Sequence, residues 1–259
     1  PSIIKTFNID PSSYLGKNKE KDSIETPNKV YFRNQSGILP EILQKLHEAR
    51  EQAKKEGREL ANYAIKIIQN SFYGVLASPN CRYFDFDLAS SITNFGRQLI
   101  QLTAKEIEKK GHKVIYSDTD SNFVETDLEK EKALKLGKEL QDYINIFYQK
   151  YVKENYNRSS NLELEFEKIY LSLMFPLMRA KDSKKAAKKR YAGLIEKNGK
   201  EELEIVGLEA IRGDWTEAAQ EFQREILLKV FHNESLESFI KNYIKKINGD
   251  IAQPPFYEK

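Results

Sequence analysis

The chain has 259 residues, 40% of them hydrophobic, enough for a buried core and more than one lobe. Its 42 basic and 39 acidic residues leave a net charge of only +3, so the overall field is weak and any charged partner must be met by local clusters. One cysteine, Cys81, excludes an internal disulfide framework and fits a reducing, cytoplasmic setting; no run of about 18 apolar residues suggests a membrane span.

The opening "PSIIKTFNIDP" begins at Pro1, carries no secretory signal and reads as the middle of a longer chain. Its β-branched start and Asp-Pro stop predict a strand or other short element. Ser12 to Ser36 is polar and without a clear period, which predicts an irregular connection. Pro40 then stands where a first helical residue would, and "PEILQKLHEAREQAKKEG" repeats apolar residues at helical spacing up to Gly57. "RELANYAIKIIQNSFYG" follows almost at once, so the two predict an antiparallel helical hairpin, with Ile65, Ile68 and Phe72 packing inward. After the turn-rich "ASPNCRYFDF", a third helix is expected from about Leu88 to Lys110, closed by Gly111 in a left-handed cap.

"HKVIYSDTDSNFVE" reads as strand, turn, strand, and residues 128 to 155 as an amphipathic helix on Leu136, Leu140, Ile144, Phe147 and Tyr151. "LELEFEKI" alternates strictly, Leu162, Leu164 and Phe166 against Glu163, Glu165 and Glu167, which predicts a strand. A second hairpin turns at Asn198-Gly199, and everything from Thr216 onward reads helical. The pattern is α+β: a helical hairpin inserted before antiparallel strands backed by long helices, then a helical tail.

Three local features carry chemistry. Asp118 and Asp120 flank Thr119 at a hairpin tip, where like charges repel and folding alone does not ask for both. Two carboxylates, waters and substrate phosphates suffice for hard cations such as Mg²⁺, and two such ions about 4 Å apart activate an attacking oxygen and stabilise a leaving one. Asp-x-Asp is also ordinary turn chemistry. Lys66, Asn70 and Tyr73 share one helix face, with Arg50 and Lys54 a turn apart on the preceding helix. Such a face can hold a triphosphate and cover a base, or it can simply meet water. Finally, "KDSKKAAKKR" at 181 to 190 holds six Lys or Arg in ten positions and runs into Tyr191, a composition suited to a phosphate backbone or to a solvated loop.

The order "KIIQNSFYG", "YSDTDS", "KKRYAG" resembles the family B DNA polymerases, in which a Lys-x-x-x-Asn-Ser-x-Tyr-Gly helix precedes a Tyr-Gly-Asp-Thr-Asp-Ser hairpin and a Lys-x-Tyr strand. "PSIIKTFNIDP" looks like the tail of that family's first palm motif, and "GLEAIRGDW" like the segment leading into its thumb. "GVLASPNCRYFDFDLASSITNFGRQLI" and "KKRYAGLIEKNG" resemble the bacterial DNA polymerase II branch in particular.

The resemblance implies an antiparallel-sheet palm backed by helices (residues 1–37 and 88–207), an inserted helical-hairpin fingers subdomain (38–87) and the helical start of a thumb (208–259). It implies a DNA-directed DNA polymerase that uses two Mg²⁺ ions, or Mn²⁺ in their place, on primer-template DNA and deoxynucleoside triphosphates. Asp118 and Asp120 would be the catalytic, metal-binding pair; Arg50, Lys66, Asn70 and Tyr73 would bind the nucleotide; Lys188, Lys189, Arg190 and Tyr191 would touch DNA. Ser117 stands where the family usually has glycine, a small-for-small change expected to be tolerated. The first motif's aspartate and tyrosine and the exonuclease domain would lie ahead of Pro1, and a tail that binds a sliding clamp beyond Lys259, so these 259 residues alone are expected to polymerise little. A bacterial chain of this kind would sit at the nucleoid. The alternatives are a haloacid-dehalogenase-type metal-dependent phosphohydrolase, against which Asn122 in the motif's fifth position weighs, and a non-catalytic nucleic-acid-binding module.

Overall fold

The computed structural model describes residues 1–177 and 187–251. The chain divides into two compact units, Pro1–Phe166 and Glu167–Lys259. Among the described residues there are seven α-helices and eight short strands, the strands paired antiparallel in three separate small sheets rather than in one. None of these helices is long and apolar enough to cross a membrane.

The first unit opens with α1 (Ser2–Phe7), a helix and not the strand its Ile3-Ile4 pair suggests. Helical spacing puts Ile4 and Phe7 on one face, both fully buried, and that burial outweighs a weak β-preference. Phe7 stacks on Phe95 with ring centroids 3.7 Å apart, and Tyr156 meets both rings edge-on. The polar residues that follow are structural. Asn8, left-handed at φ 52, donates to the carbonyls of Arg33 and Gln35 and accepts from the Gly37 amide. Asp10 accepts from the amides of Ser12 and Leu39, the latter at the start of α2 (Ile38–Lys55). Gly37 is needed there because a Cβ would come within 2.7 Å of the Asp10 side chain.

The stretch expected to be irregular instead holds a small sheet of β1 (Tyr14–Gly16), β2 (Ile24–Glu25) and β3 (Tyr31–Phe32), in the order β1-β3-β2. Strands of two or three residues are too short to show a period in sequence. Ile24, Val30 and Phe32 are buried there all the same. The helical hairpin forms as expected from α2 and α3 (Glu59–Ala77), turning at Gly57 with φ 66. Ile65 and Phe72 are half-buried, but Ile68 is 48% exposed; the buried face runs through Gln69 and Leu76, and Ile68 points off it.

Helix α4 (Phe86–Lys109) starts two residues before the expected position because Asp85 accepts from the amides of Asp87 and Leu88. Gly111 follows it with φ 87. The hairpin β4 (Lys113–Asp118) and β5 (Ser121–Glu125) comes next, then α5 (Lys130–Tyr156), whose Ile144, Tyr148 and Val152 join the core around Phe7, Leu88, Phe95 and Leu99. Arg158 ties the end of α5 back to the chain start: its guanidinium donates to the carbonyls of Thr6 and Asn34.

"LELEFEKI" alternates as expected, with Leu162 buried and the glutamates exposed, yet it forms no strand. Its backbone pairs with α5 side chains instead. Asn145 accepts from the Leu164 amide and donates to the Leu164 carbonyl, while Gln141 accepts from the Phe166 amide. Side-chain amides thus satisfy the groups a strand neighbour would otherwise have filled.

The second unit holds β6 (Ser172–Met174), β7 (Tyr191–Lys197) and β8 (Lys200–Val206) in that order. Asn198 and Gly199 make the expected two-residue turn with φ 54 and 73. A 3₁₀ turn (Glu209–Ile211) leads to α6 (Glu217–Phe231), N-capped by Thr216, and α7 (Leu236–Ile251). Ala192, Ile205, Leu208, Ala210 and Leu227 form the core of this unit.

Candidate active site

Asp118 is the last residue of β4 and stands opposite Ser121, so Thr119 and Asp120 alone make the hairpin tip. Thr119 is held at φ 34, a region costly for a β-branched residue. Its hydroxyl donates to the Asp118 carboxylate at 3.1 Å, and the Ser121 hydroxyl donates to the Asp118 carbonyl at 3.2 Å. Asp118 is half-buried and Asp120 exposed. Below the tip the strands are tied on both faces. Tyr116 and Phe123 form an edge-on ring pair on the Asp118 face, 5.4 Å between centroids. On the other face, Ser117 donates its hydroxyl to the Asn122 amide oxygen at 2.6 Å. A serine at that position therefore gains a partner rather than crowding the turn.

Lys66, Asn70 and Tyr73 are all exposed along one side of α3. Arg50 joins them across the helical hairpin: its Nε donates to Asn62 Oδ1 at 2.9 Å. Asn62 lies one turn before Lys66 on the same stripe, so it fixes the guanidinium at the head of the row. Extending the four-residue spacing back from Lys66 would have found it in the sequence. Helix α4 packs against α3 and also against β4 and β5, so one helix supports both the cationic stripe and the acidic tip.

In the second unit, residues 181–186 of the basic run lie outside the described residues. Lys188 and Lys189 are exposed. Lys189 is left-handed at φ 56, and its carbonyl approaches Gly207 (φ 63) so closely that a Cβ there would stand 2.0 Å from it. Arg190 is turned to the fold, paired with the buried Glu209, which also accepts from Gln223 at 3.0 Å. Gln223 and Arg190 together depress the Glu209 carboxyl to about 2. Tyr191 is half-buried between Tyr170 and Phe175. No sequence signal marks Glu209 as the partner of Arg190, because the pairing depends on how the strand meets the 3₁₀ turn.

The family model for DNA polymerase family B matches residues 1–254. The chain belongs to DNA polymerase family B. Relatives in this family include DNA polymerase II of Escherichia coli K12, 39% identical over the whole chain and 34% of that protein. DNA polymerase 1 of Pyrococcus abyssi and the DNA polymerase of Thermococcus gorgonarius are each 32% identical over 98% of the chain and 31% of their own length. The chain therefore spans about a third of the length of the curated relatives it matches. The solved family B polymerase of Pyrobaculum calidifontis shares the fold, with a TM-score of 0.63 at 24% identity, covering 100% of this chain and 32% of that one. Family B membership leaves the phosphohydrolase alternative without support.

Among the described residues no group of three or more His, Cys, Asp and Glu side chains is arranged to hold a metal ion. What the tip offers is two carboxylates on a braced turn, an oxygen-only donor set. That set suits Mg²⁺, which keeps several waters and takes one or two carboxylates together with substrate phosphates.

Proposed function

We propose that this chain carries the catalytic region for template-directed DNA synthesis, in which a primer 3′-hydroxyl attacks the α-phosphate of a deoxynucleoside triphosphate and pyrophosphate leaves. Residues 1–37 and 88–207 then serve as palm, 38–87 as fingers and 208–259 as the start of the thumb. The observation that carries the reading is the acidic tip and the Arg50–Lys66–Asn70–Tyr73 row on one compact unit, both resting on α4.

Asp118 and Asp120 would hold two Mg²⁺ ions, which supply activation of the hydroxyl and charge stabilisation at the leaving oxygen. The bracing of the hairpin holds the backbone of the tip and the Asp118 carboxylate, which lowers the ordering cost that falls on the reacting complex. Arg50 and Lys66 bind the triphosphate; the planar guanidinium, oriented by Asn62, suits two phosphate oxygens at once, and the Lys66 ammonium acts as a point charge. Asn70 adds a neutral donor one turn on, and the exposed ring of Tyr73 borders the base pair being formed. Lys188, Lys189 and Tyr191 contact the duplex backbone. Arg190 contributes by fixing its strand to the Glu209 turn rather than by a charge of its own.

Calorimetric titration of a deoxynucleoside triphosphate with Mg²⁺ into the full chain bound to primer-template tests this. Asp120→Asn is expected to abolish the metal-dependent heat and Lys66→Ala to weaken it at least tenfold. Unchanged heats in both variants would overturn the assignment.

A further inference from the structure

Lys168, Tyr170 and Glu204 were not singled out in the sequence, yet Lys168 and Glu204 converge on Tyr170, whose ring meets that of Tyr191. Lys168 donates to both Glu204 carboxylate oxygens, at 2.8 and 2.6 Å. The Tyr170 hydroxyl donates to the same carboxylate at 2.5 Å. Glu204 on β8 stands directly opposite Gly193 on β7, and the Tyr170 ring lies over that glycine so closely that a Cβ would come within 2.4 Å of it. Gly193 and Tyr191 are two residues apart on one strand and share a face. There Tyr170 meets Tyr191 edge-on, with centroids 6.3 Å apart and planes at 87°.

Burial first, and the adjacent Glu204 carboxylate second, push the Tyr170 hydroxyl far above its ordinary value, so it stays a neutral donor. A cation and a carboxylate thus hold the Tyr170 phenol, whose ring meets the Tyr191 ring edge-on. The lysine and glutamate side chains keep about a third and a quarter of their surface exposed. Apolar side chains would pack this sheet face equally well, whereas this hydrogen-bonded group fixes the orientation of the Tyr170 ring and its hydroxyl.

We propose that Tyr170, held by Glu204 and Lys168, is a positioning residue that presents Tyr191 to the sugar-phosphate backbone of a bound duplex. The inference rests on the reading of Tyr191 as a duplex contact. The test is equilibrium binding of a 5′-overhang primer-template to the full chain carrying Tyr191→Phe, Tyr170→Phe, both together, and Tyr191→Ala, with melting temperatures measured alongside. Tyr170→Phe keeps the ring over Gly193, so the fold is retained. Each single Phe variant is expected to weaken binding about two- to tenfold, the range of one hydrogen bond, and the double variant no further than either single one. Losses that multiply in the double variant would mean that Tyr170 acts independently of Tyr191, and would overturn the inference, as would wild-type affinity in Tyr170→Phe. If Tyr191→Ala itself binds normally, the duplex-contact reading falls and takes the inference with it. If Tyr191→Ala is weakened but Tyr170→Phe is not, that reading stands and only the positioning role is lost.

Discussion

Gln223 and Arg190 both donate to Glu209 and hold its carboxyl at about 2, against an ordinary value of 4.5. A depressed carboxyl adds stability that is fully present above about pH 4.5 and is lost as pH falls through the folded value near 2. Glu209→Gln is therefore expected to lower stability at pH 7 and to flatten the acid limb of a stability-pH curve between those two values; an unchanged acid limb would argue against the pairing. At the same scale, Asn62 tests the proposed nucleotide row through its hydrogen bond to Arg50 rather than through a charge of its own. Asn62→Ala frees the guanidinium from its hydrogen bond, and triphosphate affinity measured by titration is expected to drop about two- to tenfold. Both residues illustrate a limit of reading charge from sequence. Arg50 and Arg190 look alike as cations, and one is aimed along an exposed row while the other is turned onto a buried carboxylate.

At the scale of elements, the segment Leu162–Phe166 shows how a correct period gives an incorrect partner. Its alternation holds residue by residue, but its neighbour is the flank of α5 and not another strand. The fit depends on Gly137, over which the Phe166 ring lies so closely that a Cβ would come within 2.4 Å of ring carbons. Alanine normally favours a helix over glycine by about 1 kcal/mol. Here overpacking is expected to reverse the sign, so Gly137→Ala should shift the denaturant midpoint downward, by about 1–3 kcal/mol in stability. A gain in stability would show that the ring yields freely. The helical hairpin, the Asn198-Gly199 turn and the Gly111 cap were all legible, because each is encoded within a few consecutive residues. The short β1-β3-β2 sheet was not, since its strands are no longer than the turns between them. Whether the opening element is a strand or a helix was left open, because its burial against Phe95 and Tyr156 lies outside any local window.

Across the whole molecule, charge is nearly balanced, so affinity for a polyanion must come from placed side chains. If Lys188 and Lys189 meet phosphates, replacing each by alanine should reduce the slope of log affinity against log salt by about 1 and weaken all duplex sequences alike. Arg190→Ala is expected to behave differently, lowering the melting temperature without a matching loss of salt slope, since its charge is balanced by Glu209. Equal salt-slope losses for all three cations would reverse that distinction. By itself the sequence determined the family, the order of its motifs, the helical and two-residue periods and the turns, because each of these is written in residues close together along the chain. The tertiary structure alone decided that Arg158 clamps α1 from 152 residues away, and that a lysine and a glutamate hold the tyrosine that meets Tyr191. Those contacts join residues too far apart in sequence for any local pattern to hold both partners, and only the packed core brings them within hydrogen-bonding reach.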